Sequence, residues 1–401
     1  MCRVELTRVS AALRAPINIA LAMVAGLALA ACAGTSGTDF FSSQPAPQQQ
    51  AGTEIGEGSV KVGLILPLGA AGNAGATAQS MRNAAELALS EFSNPDIQLL
   101  VKDDAGSAAG AQQAAQQLID EGAEIILGPL FAHSVAPVGQ LARARGIPVI
   151  AFSTDSNVAA AGVYLLSFLP ESDVARLIAY AAQQGKRSYA AAVPDNPYGA
   201  VVEGAFKQAV GRRNGRIVAF ERYTVDRVQM QTAIKNLAQG ARAADAIFIP
   251  DTADMVPQVV QALAANGVDT RKVQLLGSGL WEDPQIFSSS VLEGAWYAGP
   301  DSTGFRNFSG RYRARYNQDP VRTATLVYDA VALVAALTKT QGQKRFSAEV
   351  LTNSSGFNGI DGLFRFRRDG LNQRGLAVMR VTPTGGQIVS PSPRSFSGSG
   401  T

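Results

Sequence analysis

Residues 60–92 read VKVGLILPLGAAGNAGATAQSMRNAAELALSEF, and their pattern changes twice. The first segment, VKVGLILPL, is apolar at nearly every position, as a strand covered on both faces must be. The last, SMRNAAELALSEF, sets Met81, Ala84, Ala85, Leu87 and Ala88 along one side of a helix. Between them, residues 69–79 form a turn with Gly69, Gly72 and Gly75 three apart. A glycine-rich turn between a strand and a helix often cradles phosphate, but the spacing here is wrong for it. Dinucleotide sites use G-x-G-x-x-G and phosphate loops G-x-x-x-x-G-K-[ST]. This turn reads G-x-x-G-x-x-G and meets no Lys or Arg before Arg82. The stretch therefore predicts a parallel α/β sheet with a small-residue loop at its strand ends.

The same unit recurs along the chain. IQLLVKDD precedes AAGAQQAAQQLIDEG, AEIILGPL precedes VAPVGQLARARG, and IPVIAFST precedes ESDVARLIAYAAQQG. RSYAAAVPD, RIVAFERY, AIFIPD and VQLLGSG continue the series with helical patterns between them. So long an alternation predicts two sheets with helices on both faces. LLSFLPE (165–171) and GAWYAGPD (294–301) run from apolar residues into a proline and read as places where the chain changes domain. Ligands of open α/β sheets bind beyond the carboxyl ends of the strands. That rule singles out Gly69–Gly75, Asp103 and Asp104, Phe131–Ser134, Ser153–Asp155, Asp195–Tyr198, Asp251 and Thr252, and Ser278–Trp281.

The two ends have another character. Arg3, Arg8 and Arg14 precede an apolar run from Ile17 to Ala31, an export signal too short and Ala-rich to span a membrane well. It ends Leu29-Ala30-Ala31-Cys32, which resembles the bacterial lipobox, whose cysteine is acylated and becomes the first mature residue. Residues 1–31 are thus expected to be a signal peptide, Cys32 the lipidation site, and 32–58 a flexible Gly/Ser/Gln/Pro-rich tether. Residues 390–401 are expected to form a disordered tail. The other cysteine, Cys2, leaves with the signal, so the mature chain has neither thiol nor disulfide. The formal net charge of +3 falls to +1 once the first 31 residues remove three arginines and one acid. Nucleic-acid binding needs clustered excess charge and is not supported.

Catalysis is not indicated. The chain has one histidine, His133, beside Ser134, and adjacent residues rarely face each other as base and nucleophile. Ser134 fits better as a cap of the following helix. Asp103 and Asp104 diverge at a strand end and suit hydrogen bonding. No metal-ligand spacing and no cofactor motif occurs. The chain is expected not to be an enzyme.

In their order, VKVGLILPL, LLVKDDAGSAAGAQQAAQQLIDEGAEIILGP, GIPVIAFST, PDNPYG and FNGIDGLFRF resemble the type I periplasmic binding proteins of the leucine/isoleucine/valine-binding group over about residues 60–388. The resemblance implies two Rossmann-like lobes joined by three hinge crossovers, 59–167 with 299–358 and 168–298 with 359–389. The last crossover would lie at Gly359–Arg365. It also implies a small ligand, such as an amino acid or related metabolite, held between the lobes and delivered to an ABC permease. The first-loop positions are Asn73 and Thr77, the latter where the group has an aromatic residue. The third-strand loop contributes Ala132, His133 and Ser134, with Ala132 in place of the group's serine. The fourth contributes Ser153, Thr154 and Asp155. The second lobe contributes Tyr198, Asp251 and Trp281, with Tyr198 and Trp281 as stacking walls. The group's carboxylate for the ligand ammonium aligns with Gly279, and Asp155 or Asp251 would replace it only if the ligand lay differently. The group's first-lobe disulfide aligns with Gly106 and Phe131.

The segment from Leu165 to Gly199 is also similar to penicillin-binding-protein activators, lipoproteins of the same fold that stimulate a peptidoglycan synthase. The helical-repeat domain of those proteins is expected to have no counterpart here. The expected function is a lipid-anchored periplasmic solute-binding protein. The alternative is a regulator of peptidoglycan synthesis.

Overall fold

The structure, a computed structural model, describes residues 54–396. The expected signal peptide, Cys32, most of the expected tether and residues 397–401 lie outside the described residues.

The chain opens with β1 (Glu54–Ile55), β2 (Val60–Leu66), α1 (Asn73–Ser90), β3 (Ile97–Asp103) and α2 (Ala108–Asp120). Then come β4 (Ile125–Leu127), α3 (Ala132–Ala144), β5 (Val149–Ala151) and β6 (Val163–Leu165). These strands form one sheet in the order β1-β3-β2-β4-β5-β6, parallel except for β1. Both faces of β2 are covered. Val62, Leu64 and Leu66 belong to one core with Met81, Ala85 and Ala88 of α1, while Ile65 belongs to another with Leu118 of α2 and Val138 of α3. Gly63 is glycine because a Cβ there would lie 2.5 Å from Leu118 Cδ1.

A second series follows: α4 (Pro170–Gln183), β7 (Ser188–Pro194), α5 (Pro197–Arg212), β8 (Arg216–Tyr223), α6 (Arg227–Ala241), β9 (Ala246–Phe248) and α7 (Val256–Ala265). It ends with β10 (Gln274–Gly277), the short α8 (Pro284–Ser288) and β11 (Trp296–Gly299). The chain then returns to the first sheet. α9 (Ser302–Tyr316) sets Phe308 and Tyr312 against Ala84 and Leu87 of α1. α10 (Ala324–Gln341) joins the core of β2 through Leu326, Val327, Ala330, Val331 and Val334. After the single turn α11 (Ala348–Leu351) comes a small antiparallel sheet of β12 (Phe357–Gly359), β13 (Gly362–Phe366) and β14 (Asn372–Arg374). Last are β15 (Ala377–Thr382) and β16 (Gly385–Ser390), which complete the second sheet in the order β16-β15-β11-β10-β9-β7-β8.

The two-sheet α/β architecture with three crossovers is the one expected, and four details differ. α1 starts at Asn73, so Asn73 and Thr77 lie within a helix rather than in a loop. Small residues carry no apolar periodicity to reveal that start. The last crossover is at Gly375–Leu376, not Gly359–Arg365, because Phe364 and Phe366 are buried in the core of the first sheet. The expected tether ends before Glu54, since Glu54 and Ile55 pair with Leu100 and Leu99 at the edge of β3. The expected tail is docked as far as Phe396, which is 6% exposed and lies under the guanidinium of Arg365. Arg176 further holds it through Ser390 Oγ at 2.6 Å. Among the described residues, no helix is long and apolar enough to cross a membrane.

In the second sheet's core, Phe206 stacks on Phe248 with ring centroids 5.2 Å apart and meets the edge of Tyr189. Phe206→Ala is expected to destabilise the folded chain by about 3–5 kcal/mol, read as a lowered urea midpoint. An unchanged midpoint would contradict this packing.

Candidate functional site

In each sheet the strand order reverses at one place, and there the loops leaving neighbouring strands diverge and open a crevice. In the first sheet this is between β2 and β4, in the second between β7 and β9. The polar residues at these strand ends are the candidate site.

On the first sheet, Ser153 follows β5, is 4% exposed, and accepts from the backbone N–H of Asp155 at 3.1 Å. Thr154 beside it is exposed. Asp155 caps a short turn by accepting from the N–H of Asn157 at 3.0 Å. Ala132, His133 and Ser134 are the first three residues of α3, with Phe131 at the cap position, so Ser134 is not the cap. Its buried hydroxyl points to Ser107 O at 3.4 Å. His133 stacks on Phe131, and its Nε2 lies 3.0 Å from Gly106 O, which places the proton on that nitrogen. The positions aligned with the disulfide are close together: a Cβ on Gly106 would lie 3.6 Å from Phe131 Cε2. The hydrogen bond from His133 to Gly106 O joins the two loops. Asp104 is fully buried beneath them; desolvation raises its carboxyl, and Oδ2 has no hydrogen-bond partner.

On the second sheet, Asn196 caps α5 by accepting from Gly199 N, which sets Tyr198 in the first turn. Tyr198 donates to Ser278 Oγ at 2.9 Å, and burial raises its hydroxyl above the usual tyrosine range. Asp251 is nine-tenths buried; it accepts from Tyr223 Oη at 2.5 Å and from Thr252 N at 2.8 Å. Trp281 does not line this crevice. It is wholly buried, donates Nε1–H to Ile249 O at 3.1 Å, and fills the space under Gly277. It is a core residue rather than the stacking wall expected from the sequence.

One residue at this end escaped the sequence reading. Asp173, in the first turn of α4, accepts from Gly279 N at 3.0 Å through Oδ2. As an acid in a helix's first turn it had an ordinary explanation. Only the fold brings it to the loop after β10.

Where the crossovers meet, Ser167 O accepts from Asn372 Nδ2 at 2.7 Å and from Arg374 Nε at 3.0 Å. The Arg374 guanidinium packs over Phe168, its two Nη atoms buried without partners. Arg322 packs on the same ring and pairs with Asp361, at 2.5 Å and 3.0 Å. Asp329, fully desolvated beside Asp361, accepts from Ile360 N at 2.7 Å. A cavity of about 970 Å³ lies elsewhere, between the residues preceding β6 and the end of α10, and touches none of these groups.

A profile described as periplasmic binding protein matches residues 59–387, across both sheets and all three crossovers. The chain belongs to the periplasmic binding protein family. No curated protein matches it by sequence. Among solved structures, it is similar to a protein of Rhodospirillum rubrum given as a branched-chain amino acid ABC transporter, at TM-score 0.73 and 20% identity, covering 82% of this chain and 99% of that one. An ABC transporter substrate-binding protein of Desulfitobacterium hafniense, in complex with Leu, matches at TM-score 0.61 and 18% identity, covering 82% and 99%. A solute binding protein of Rhodopseudomonas palustris, in complex with 3,4-dihydroxybenzoic acid, matches at TM-score 0.57 and 19% identity, covering 83% and 98%. These likenesses establish the two-lobed fold.

Burial lifts Asp329 to about 7, and the neighbouring charge of Asp361 adds to the rise. A carboxyl whose folded value exceeds its unfolded value near 3.8 favours folding most at low pH, and that contribution is lost as pH rises through about 7. The melting temperature is expected to fall from pH 5 to pH 8, and to fall less in Asp329→Asn. Calorimetry at constant ionic strength reads the two slopes; equal slopes would remove Asp329 from the account.

Proposed function

We propose that this chain is a periplasmic solute-binding protein that captures a small ligand between its lobes and delivers it to an ABC permease. The observation that carries the reading is the family match across both sheets, with polar side chains at both switch points. The first lobe would offer Ser153, Thr154, Asp155 and the start of α3 at Ala132. The second would offer Tyr198 and Asp251. Closure of the lobes would bring the two sets onto opposite sides of one ligand. Leu and 3,4-dihydroxybenzoic acid, the ligands of two structural neighbours, mark the size range. The protein would work in the periplasm, held to a membrane through acylated Cys32, with residues 33–53 as the tether. Regulation of a peptidoglycan synthase is not favoured by the family or the neighbours. No step of this function needs a catalytic group or cofactor.

Thermal shift of the chain against amino acids and small carboxylates tests the reading. A ligand at 100 times its dissociation constant stabilises by about 2.7 kcal/mol and is expected to raise the melting temperature. A panel without any shift, with capture of a peptidoglycan synthase, would sink it. For whichever ligand binds, Tyr198→Ala is expected to weaken affinity by on the order of 2 kcal/mol, measured by titration calorimetry.

A further inference from the structure

Two carboxylates at this end of the second lobe, Asp173 and Asp251, stand apart from Asp195, which pairs with Arg222. Among the described residues, neither Asp173 nor Asp251 forms a salt bridge. Asp251 is held by the hydroxyl of Tyr223 and the N–H of Thr252, which satisfy its oxygens without neutralising its charge. Asp173 receives one N–H, from Gly279, on Oδ2 alone, and the residue retains partial exposure. Tyr198, whose hydroxyl is raised chiefly by burial, also feels the negative charge of both Asp173 and Asp251.

The environment of Asp173 can be given from every side. Glu171, on its own helix, adds negative charge; Gly279 supplies the N–H; Arg374, at the crossover, is the one cation within electrostatic reach. Arg374 makes no hydrogen bond to Asp173, since its Nε serves Ser167 and its Nη atoms have no partner. The position after β10 is shaped to admit this carboxylate. A Cβ at residue 279 would lie 2.8 Å from Asp173 Oδ2, so glycine leaves room for a side chain that comes from another element. The carboxylate, the phenol of Tyr198 and the hydroxyl of Ser278 thus gather at the strand ends of the second sheet, where the solute-binding reading puts a ligand.

We propose that Asp173 sets the charge class of the ligand: the cleft takes a molecule bearing a cationic nitrogen, an ammonium or an amidinium, and rejects molecules whose only charge is negative. This rests on the solute-binding reading above. The nitrogen would donate to Asp173 and lie beside the Tyr198 ring, as cations do at aromatic faces. The neighbours' ligands span both classes, since Leu carries an ammonium and 3,4-dihydroxybenzoic acid does not. Asp173 places this chain with the former.

The test is a thermal-shift and calorimetric panel on the full chain. Its cationic and zwitterionic arm holds the common amino acids, putrescine, spermidine and glycine betaine. Its anionic arm holds 4-methylpentanoate, benzoate, 3,4-dihydroxybenzoate and succinate. Binding is expected only in the first arm, and Asp173→Asn should weaken it at least tenfold without changing the melting temperature of the free chain by more than a few degrees. Gly279→Ala, which displaces the carboxylate without altering its chemistry, should weaken the same probe and serves if Asp173→Asn fails to fold. Burial lifts Asp173 to about 7. The cationic probe should therefore bind about tenfold more weakly at pH 6 than at pH 8 in the wild type, and this dependence should vanish in Asp173→Asn. Binding of a purely anionic probe overturns the inference and leaves the solute-binding reading standing, as does a cationic probe indifferent to both substitutions. No binding in either arm overturns both.

Discussion

The carbonyl of Ser167 holds the molecule's two halves in register. Its oxygen accepts from Asn372 and from Arg374, so the first and third crossovers meet on one atom. A carbonyl has two lone pairs, and both are in use. Loss of either donor would leave a buried acceptor half-satisfied, at a cost of about 1–3 kcal/mol. A further bond, from Leu165 N to Gly370 O at 2.8 Å, ties the same two segments. The first and third crossovers are therefore not independent linkers. Any motion of one lobe against the other, as the solute-binding reading requires, would have to turn about this tie, with Ser153 before it and Asp173 after it.

Around that tie the interior is unusually polar. Arg322 and Arg374 share the ring of Phe168, and Asp329 and Asp361 lie between them and the backbone of the small antiparallel sheet. Elsewhere the cores are apolar: β2 and β7 are packed on both faces by aliphatic and aromatic side chains. Buried ionic groups of both signs gather at this tie, whereas aliphatic and aromatic packing fixes the lobes themselves. Close-packed apolar layers resist gradual deformation, so flexibility concentrates where the packing is interrupted by hydrogen-bonded charge.

What the sequence disclosed follows from the range of each interaction. Strands such as β8, read as RIVAFERY and found at Arg216–Tyr223, are set by local composition, and so was the alternation that demands two sheets. The start of α1 was hidden because Asn73 to Ala78 contains only small residues, which have no face to display. The segment from Pro391 to Phe396 reads as disordered by composition, yet Arg176, Arg365 and Gly356 hold it from distant parts of the chain. Trp281 illustrates the opposite error. A large aromatic at a strand end looks like a ligand wall, but the small residue preceding it, Gly277, opens a slot that takes the indole into the core. Asp173 and Gly279 are 106 positions apart, and neither is notable alone; their meaning lies in the 3.0 Å between them.

On the proposed reading, that pairing would also join recognition to the crossovers. A carboxylate rooted in the loop after β10 would move only with the second sheet's own strand ends. Asp173 instead stands in the first turn of α4, six residues beyond Ser167, on the segment that emerges from the tie between crossovers. Force on that carboxylate is therefore transmitted to the start of α4 and, through Leu169 and Phe168, to the two guanidinium groups stacked there. Arg374 lies within electrostatic reach of Asp173 on one side and of Asp329 and Asp361 on the other. A positive charge arriving at Asp173 would compete with the attraction Asp173 exerts on Arg374 and shift the balance toward the first-lobe acids. If Asp173 receives a ligand's charge as proposed, the sensing group and the groups at the crossovers would belong to one electrostatic set, and occupancy would be coupled to lobe orientation through the same few side chains.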